Sequence, residues 1–330
     1  MIIYILTLSS GFFGRSDQGW KSIDVSYIKR KLEESGYHVL IKSLDKININ
    51  LINKDDFIFY TSSDDFIIRS FIKDKLYILD RVAKIIPSYE HLMAHENKGF
   101  QQLWRDYKKF GNLNGRYICE KKDIPEIYPY VLKTIDGAGS KGVRLIENKT
   151  QKEKFEKKEF KVSFGRKIKI FHRWCFFNKP NFKEYLFRHQ ARSLLVTQDY
   201  IPKLKNDYKI LIFGNKYYIL KRDTRKNDFR ASGSGCFSFE INARQELLLY
   251  AKEIYKALNA PFVSLDIAHD QKTSYLIEYQ VMHFGPYTLQ KSEGYYLDKD
   301  GVFTYIKEKS ILEVEIYNAL ENYIKNHYNE

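Results

Sequence analysis

The sequence predicts an α/β protein with α+β parts, and three observations carry that prediction. Strand-like and helix-like stretches alternate through the first 85 residues; two β-patterned segments flank a glycine-rich loop near residue 140; and paired strand patterns surround one long helix between residues 206 and 285. With 330 residues, 44% of them apolar and 16% aromatic, the chain has enough apolar side chain to bury one large core or several smaller ones.

Taken in order, "IIYILTL" reads as a buried first strand, followed by a polar loop "SSGFFGRSDQGW", a helix "SIDVSYIKRKLEESG" and a strand "HVLIKSL". "DFIFYTSS" and "KLYILD" continue as further strands. A helix carrying Leu92, Phe100, Leu103 and Trp104 closes at Gly111. "YVLKTI" and "GVRLIE" are strands on either side of the glycine loop; a basic, aromatic-rich section and "SLLVTQDYI" follow. "DYKILIFGNKYYILKRDT" is a hairpin turning at Gly214 and Asn215. The helix "ARQELLLYAKEIYKALN" leads into the strands "FVSLDIAHD" and "SYLIEYQVMHFG". The last element, "ILEVEIYNALENYIKNH", is an amphipathic helix that either caps a core or offers a homodimer face.

No apolar run approaches the roughly 20 residues a membrane span needs. The opening run lacks a basic leader, so the chain is expected to stay in the cytoplasm. Cys119, Cys175 and Cys236 show no C-x-x-C spacing, which leaves them as reduced packing residues. The net charge of +14 is concentrated between Lys152 and Arg192. It suits a solvated surface, phosphates or an acidic acceptor; nucleic acid ranks behind these because no binding motif accompanies it.

The glycine loop "VLKTIDGAGSKGVRLIEN" holds Gly137, Gly139 and Gly142 in G-x-G-x-x-G order. A dinucleotide site needs a helix after such a loop, and a β pattern follows here. A protein kinase carries its lysine after the loop, whereas Lys133 precedes it. What remains is a hairpin flap, Gly137, Gly139, Ser140, Lys141 and Gly142, whose backbone N–H groups can close on phosphate oxygens beside Lys133. Downstream, "LDIAHDQKTSYLIEYQ" places Asp266 on one strand and Glu278 and Gln280 on the next. Two residues apart on a strand, Glu278 and Gln280 share a face, and if Asp266 faces the same way the three offer oxygen ligands to a hard cation. Asp207, Lys209, Lys221, Arg222 and Arg230 lie between flap and acidic strands, cations among them for holding phosphates.

In this order the motifs resemble the ATP-grasp superfamily, over roughly residues 85–290. The resemblance implies a small N-terminal open α/β domain and two α+β subdomains clasping ATP, divided at 1–88, 89–196 and 197–330. It implies nucleotide contacts from Lys98 in "HENKGFQQLW", from Lys133 and the flap, and from Gln198, Asp199, Tyr200 and Ile201 in "VTQDYI", where the family usually has Gln-Glu. "NDYKILIFGNKYYILKRDTRKNDFRASGSG" is similar to the family's D-x-R, R and F-R-x-N run. Asp207 carries over as a cofactor contact and Arg222 and Arg230 as catalytic residues, with Lys209 for an Arg and Ser232 for an Asn. The metal set would be Asp266, Glu278 and Gln280, the last replacing an Asn.

By the same resemblance the reaction uses ATP with magnesium, or manganese in its place, to turn a carboxylate into an acyl phosphate that an amine attacks. The acceptors would be small molecules or peptides, an acidic sugar or nucleotide-sugar among them. Arg15, Ser16 and Asp17 in the first loop and His283 beyond the metal strand are candidates for holding them. An ATP-grasp kinase and an inactive nucleotide-binding protein are the alternatives; the departures at Asp199, Lys209, Ser232 and Gln280 support the latter.

Overall fold

In a computed structural model of the chain, the described residues are 1–328 except 17, 138–141, 177–183, 185, 186, 188, 227, 240, 241 and 271. They form two units, one of Met1–Leu113 with Ile201–Glu330 and one of Asn114–Tyr200.

The larger unit begins with a parallel sheet of β1 (Ile2–Thr7), β2 (His38–Ser43), β3 (Phe57–Tyr60) and β4 (Lys84–Ile86), in the order β2-β1-β3-β4. Parallel strands covered on both faces read as unbroken apolar runs, which is why "IIYIL" and "FIFY" show no alternation with polar residues. Ile3 and Ile5 join Ile28 and Leu32 of helix Val25–Glu34 and Leu312, Ile316 and Leu320 of the C-terminal helix Leu312–His327. Tyr4 and Leu6 meet Ile72, Leu76 and Leu79 of helix Phe66–Leu79 on the other side. The C-terminal helix therefore caps this core.

"KLYILD" is the end of helix Phe66–Leu79 and not a strand. Ile72, Leu76 and Leu79 recur at helical spacing, and Asp65 caps the start by accepting from the Ile68 N–H at 2.9 Å. The region around Leu92–Trp104 also differs from the reading, because it holds two helices, Tyr89–Ala94 and Lys98–Lys108. Glu96 breaks them with φ 51°, and Asn97 caps the second.

The second sheet of this unit is antiparallel. It contains β9 (Asn206–Phe213), β10 (Lys216–Asp223), β11 (Phe237–Ser238), β12 (Phe262–His269), β13 (Ser274–Gln280), β14 (Tyr295–Lys299) and β15 (Val302–Ile306), numbered in chain order after four strands of the smaller unit. The order is β13-β12-β9-β10-β14-β15, with β11 on β10. Helix Gln245–Leu258 covers one face, where Leu247, Ala251 and Ile254 pack on Ile210, Ile212, Val263 and Leu265.

The smaller unit is an antiparallel sheet of β5 (Gly115–Ile118), β6 (Tyr130–Thr134), β7 (Val143–Ile146) and β8 (Leu195–Asp199), ordered β5-β8-β6-β7. Its core joins Ile118, Tyr130, Leu132, Ile146 and Leu195 to Phe155 of helix Lys149–Glu159. The helix Phe164–Phe176 follows. Cys119, Cys175 and Cys236 are all free thiols as expected, but exposed where the sequence suggested packing.

Candidate active site

Alternation along β9 decides which side chains meet. Tyr208, Ile210 and Ile212 turn toward helix Gln245–Leu258, so Asp207, Lys209, Leu211 and Phe213 take the opposite face. Leu211 and Phe213 fill the apolar end of that face, and Asp207 and Lys209 stand at its charged end. Strand register extends this end sideways: Asp266 lies opposite Lys209 on β9 and opposite Glu278 on β13, Arg222 lies opposite Asp207, and Gln280 pairs with Ser264.

The charged side chains of this row are held in two groups of ion pairs, Asp207, Arg222, Asp266 and Lys209 in one and Glu278 with Lys98 in the other. Arg222 donates from Nε to Asp207 Oδ1 at 2.6 Å and from Nη2 to Asp207 Oδ2 at 2.9 Å; Nη2 also lies 3.0 Å from Asp266 Oδ2. Lys209 Nζ is 3.3 Å from Asp266 Oδ1, and Lys98 Nζ, at the start of its helix, is 3.7 Å from Glu278 Oε1. Burial raises the Asp207 carboxyl to about 6 against the pull of Arg222. Burial works the same way at Asp266, but Arg222 and Lys209 outweigh it and hold that carboxyl down to about 2. Burial also opposes the charge on Arg222, yet Asp266 and Asp207 keep it protonated, above its ordinary value.

Arg230 makes its ion pair among the described residues with Asp228. It lies in the loop after β10 and closes on Asp228, Nε to Oδ1 at 2.9 Å and Nη2 to Oδ2 at 2.8 Å, with Ser232 in the same loop.

In the smaller unit, Lys133 projects from the face of β6 opposite Leu132 and donates from Nζ to Gln198 Oε1 at 2.5 Å, both side chains buried. Asp199 ends β8, its carboxylate accepting from Asn114 Nδ2 at 2.9 Å; Tyr200 and Ile201 follow where the chain passes from one unit to the other. Gly137 and Gly142 have φ of 95° and 79°. At Gly142 a Cβ would come within 2.2 Å of Thr134 Oγ1, so no other residue fits without displacing that side chain. Gly139, Ser140 and Lys141 lie outside the described residues, as does Asp17.

A second cluster in the larger unit gathers residues the sequence reading separated or missed. Arg15 forms an ion pair with Asp64, and Asp64 Oδ1 lies 3.6 Å from His283 Nε2 and 3.9 Å from His95 Nε2. His95 Nδ1 shares a hydrogen bond with Ser62 Oγ at 2.8 Å. Burial, aided by neighbouring cations, lowers His95 to about 3 and His283 to about 4, so both rings are neutral at pH 7. His283 sits in the left-handed region at φ 58°. Beside it is a small cavity of about 50 Å³ lined by Phe13, Phe59, Phe213, Phe262 and Phe284, with Arg15 and His283 among its walls. Ser16 is buried nearby in sequence, its N–H bonded to the Lys21 carbonyl at 2.9 Å. Asp64 and His95 carry no local signal, since both meet His283 only through tertiary folding.

No family model and no curated protein matches the sequence. The structure is similar over 98% of its length to the whole of D-cycloserine synthetase DcsG, with a TM-score of 0.55 and 10% identity. It is similar over 89% of its length to 73% of N5-carboxyaminoimidazole ribonucleotide synthetase (PurK) in its ADP complex, with a TM-score of 0.51 and 12% identity. At these identities the likeness is one of fold: the chain has the ATP-grasp fold.

Proposed function

We propose that this protein is an ATP-dependent ligase that activates a carboxylate as an acyl phosphate and joins it to an amine. The observation that carries the reading is the row Glu278, Asp266, Lys209, Arg222 and Asp207 on one sheet face of an ATP-grasp fold, with Lys98 reaching Glu278 from the start of its helix. In this reading residues 1–88 bind the acceptor, 89–196 bring the flap and Lys133, and 197–330 bring the metal set.

The donors fit magnesium: two carboxylates opposite each other on adjacent strands and the Gln280 amide oxygen on the same face, all hard oxygen ligands. When bound there, the ion would neutralise charge on the transferring phosphoryl group. Lys98, Lys209 and Arg222 now balance the carboxylates and would be available to phosphate oxygens once the cation takes over that role.

In the first step a substrate carboxylate oxygen attacks the γ-phosphorus while the bond to the bridging oxygen breaks, so ADP leaves and an acyl phosphate forms. The amine nitrogen then adds to the acyl carbon, the bond to phosphate breaks, and one amine proton passes to a base. Arg222 and Lys209 would stabilise the negative charge that develops in both steps. His283, neutral at pH 7, is the candidate proton acceptor, and Arg15 the candidate carboxylate anchor.

Thermal unfolding with Mg-ADP tests the reading. Nucleotide at about 100 times its dissociation constant should stabilise the wild type by roughly 2.7 kcal/mol. Lys133→Ala and Glu278→Gln should each lose most of that shift. No shift at millimolar nucleotide would overturn the proposal. If the shift is present, release of free phosphate with ADP separates a ligase from a kinase, which would leave the phosphoryl group on its substrate.

A further inference from the structure

Helix Phe164–Phe176 contains no buried residue. Phe164, Ile168 and Phe171 are 79%, 53% and 63% exposed. At 3.6 residues per turn they fall, with Cys175, within about 60° of one another around the axis. Arg166, Lys169 and Arg173 occupy the opposite side by the same geometry, and Lys167 and Trp174 stand together at the border. The charge around this helix is lopsided: residues 149–176 hold ten Lys and Arg against three Glu, a net +7 that is half of the chain's +14.

We propose that this helix binds an anionic lipid surface, lying in its plane with the aromatic stripe at the acyl boundary and the basic stripe among the headgroups. An aromatic and aliphatic stripe backed by Lys and Arg, on a helix of low net hydrophobicity, is the pattern of such interfacial helices. Thirteen residues are too few to cross a bilayer, and no helix among the described residues is long and apolar enough to do so. Charge selects the occupant. A second copy of the chain would bring the same basic surface against itself, and nucleic acid would engage the basic stripe while leaving Phe164, Ile168 and Phe171 in water. An anionic bilayer satisfies both stripes at once. Helix Phe66–Leu79 also exposes Phe66, Ile67 and Phe71, but no comparable charge names what would cover it.

The test is co-sedimentation of the full-length protein with phosphatidylserine-rich vesicles and with phosphatidylcholine vesicles, at low and high salt. Binding to the anionic vesicles should weaken as salt rises. The Trp174 emission should shift to the blue on binding, and Trp174→Phe should remove that shift. Ile168→Glu/Phe171→Glu should weaken binding roughly tenfold or more, and Lys169→Glu/Arg173→Glu should weaken it at low salt. All four positions are exposed, so the unfolding midpoint of each variant should match the wild type and exclude a folding defect. Absence of sedimentation at low salt, or binding untouched by Ile168→Glu/Phe171→Glu, would overturn the proposal. So would a dimer, seen by sedimentation velocity, that dissociates in that variant, because a second copy would then own the stripe.

Discussion

Two regions of this chain collect charge, and they do so under opposite rules. In the row on the antiparallel sheet, three cations (Lys98, Lys209, Arg222) face three carboxylates (Asp207, Asp266, Glu278) in close pairs. In residues 149–176, ten basic residues meet only three acidic ones, and most are exposed. The difference teaches that burial enforces neutrality while water tolerates excess. The basic stretch contains its own control, since the one Lys buried among its described residues, Lys152, is held by Glu126 and lies 3.6 Å from Glu156.

Removing a buried charge should therefore cost most. Arg222→Met leaves Asp207 and Asp266 facing each other without their shared cation, and should lower stability by roughly 3–5 kcal/mol in urea unfolding at pH 7. A loss below about 1 kcal/mol would mean that water reaches the row and that the contrast with the helix is false. Lys152→Met should cost about 1–3 kcal/mol, because it deprives the buried Glu156 carboxylate of a partner while Lys121, 3.0 Å away, still serves it.

Burial can also be met by staying neutral, which His91, His95 and His283 do. Their folded values lie at about 4, 3 and 4, with burial the main cause in each, against 6.5 when unfolded. Below pH 6.5 the unfolded chain takes up protons that the folded chain refuses. Stability is thus full above 6.5 and falls as pH drops toward 4, by up to about 1.4 kcal/mol per pH unit for each histidine. His95→Gln should flatten that slope in a series of urea melts across this range; an unchanged slope would remove His95 from the account. The smallest effect belongs to the exposed helix. Lys169→Ser and Arg173→Ser should each change stability by no more than about 0.5 kcal/mol.

How much of this was legible beforehand depends on whether a signal is local. The shared face of Glu278 and Gln280 follows from a period of two, and the turn at Gly214–Asn215 from its own chemistry. Helix Phe66–Leu79 reads as a strand at its end because six residues of "KLYILD" cannot distinguish alternation from helical spacing; the preceding turn, where Ile72 joins Leu76 and Leu79 in the core with β3 and β4, decides it. The hairpin Tyr295–Ile306 has a local marker in Asp300–Gly301, whose φ of 54° and 90° make its turn. The pairing of Arg15 and Asp64, and the approach of His95 and His283 to that carboxylate, had no such marker, since these residues lie on segments outside the strands and meet only when elements far apart in sequence pack together. Exposure of the three cysteines was equally hidden, because a thiol's surroundings are set by elements other than its own.

The strands that begin and end the smaller unit are tied to each other at their outer ends, where the Asp199 N–H donates to the Asn114 carbonyl at 2.9 Å and the Asn114 side chain returns a bond to the Asp199 carboxylate. A segment whose entry and exit are fastened together has the form of a cassette, with Asn114 and Asp199 as the splice points at which an excised smaller unit is expected to keep its fold, checked by its circular dichroism and unfolding when expressed alone.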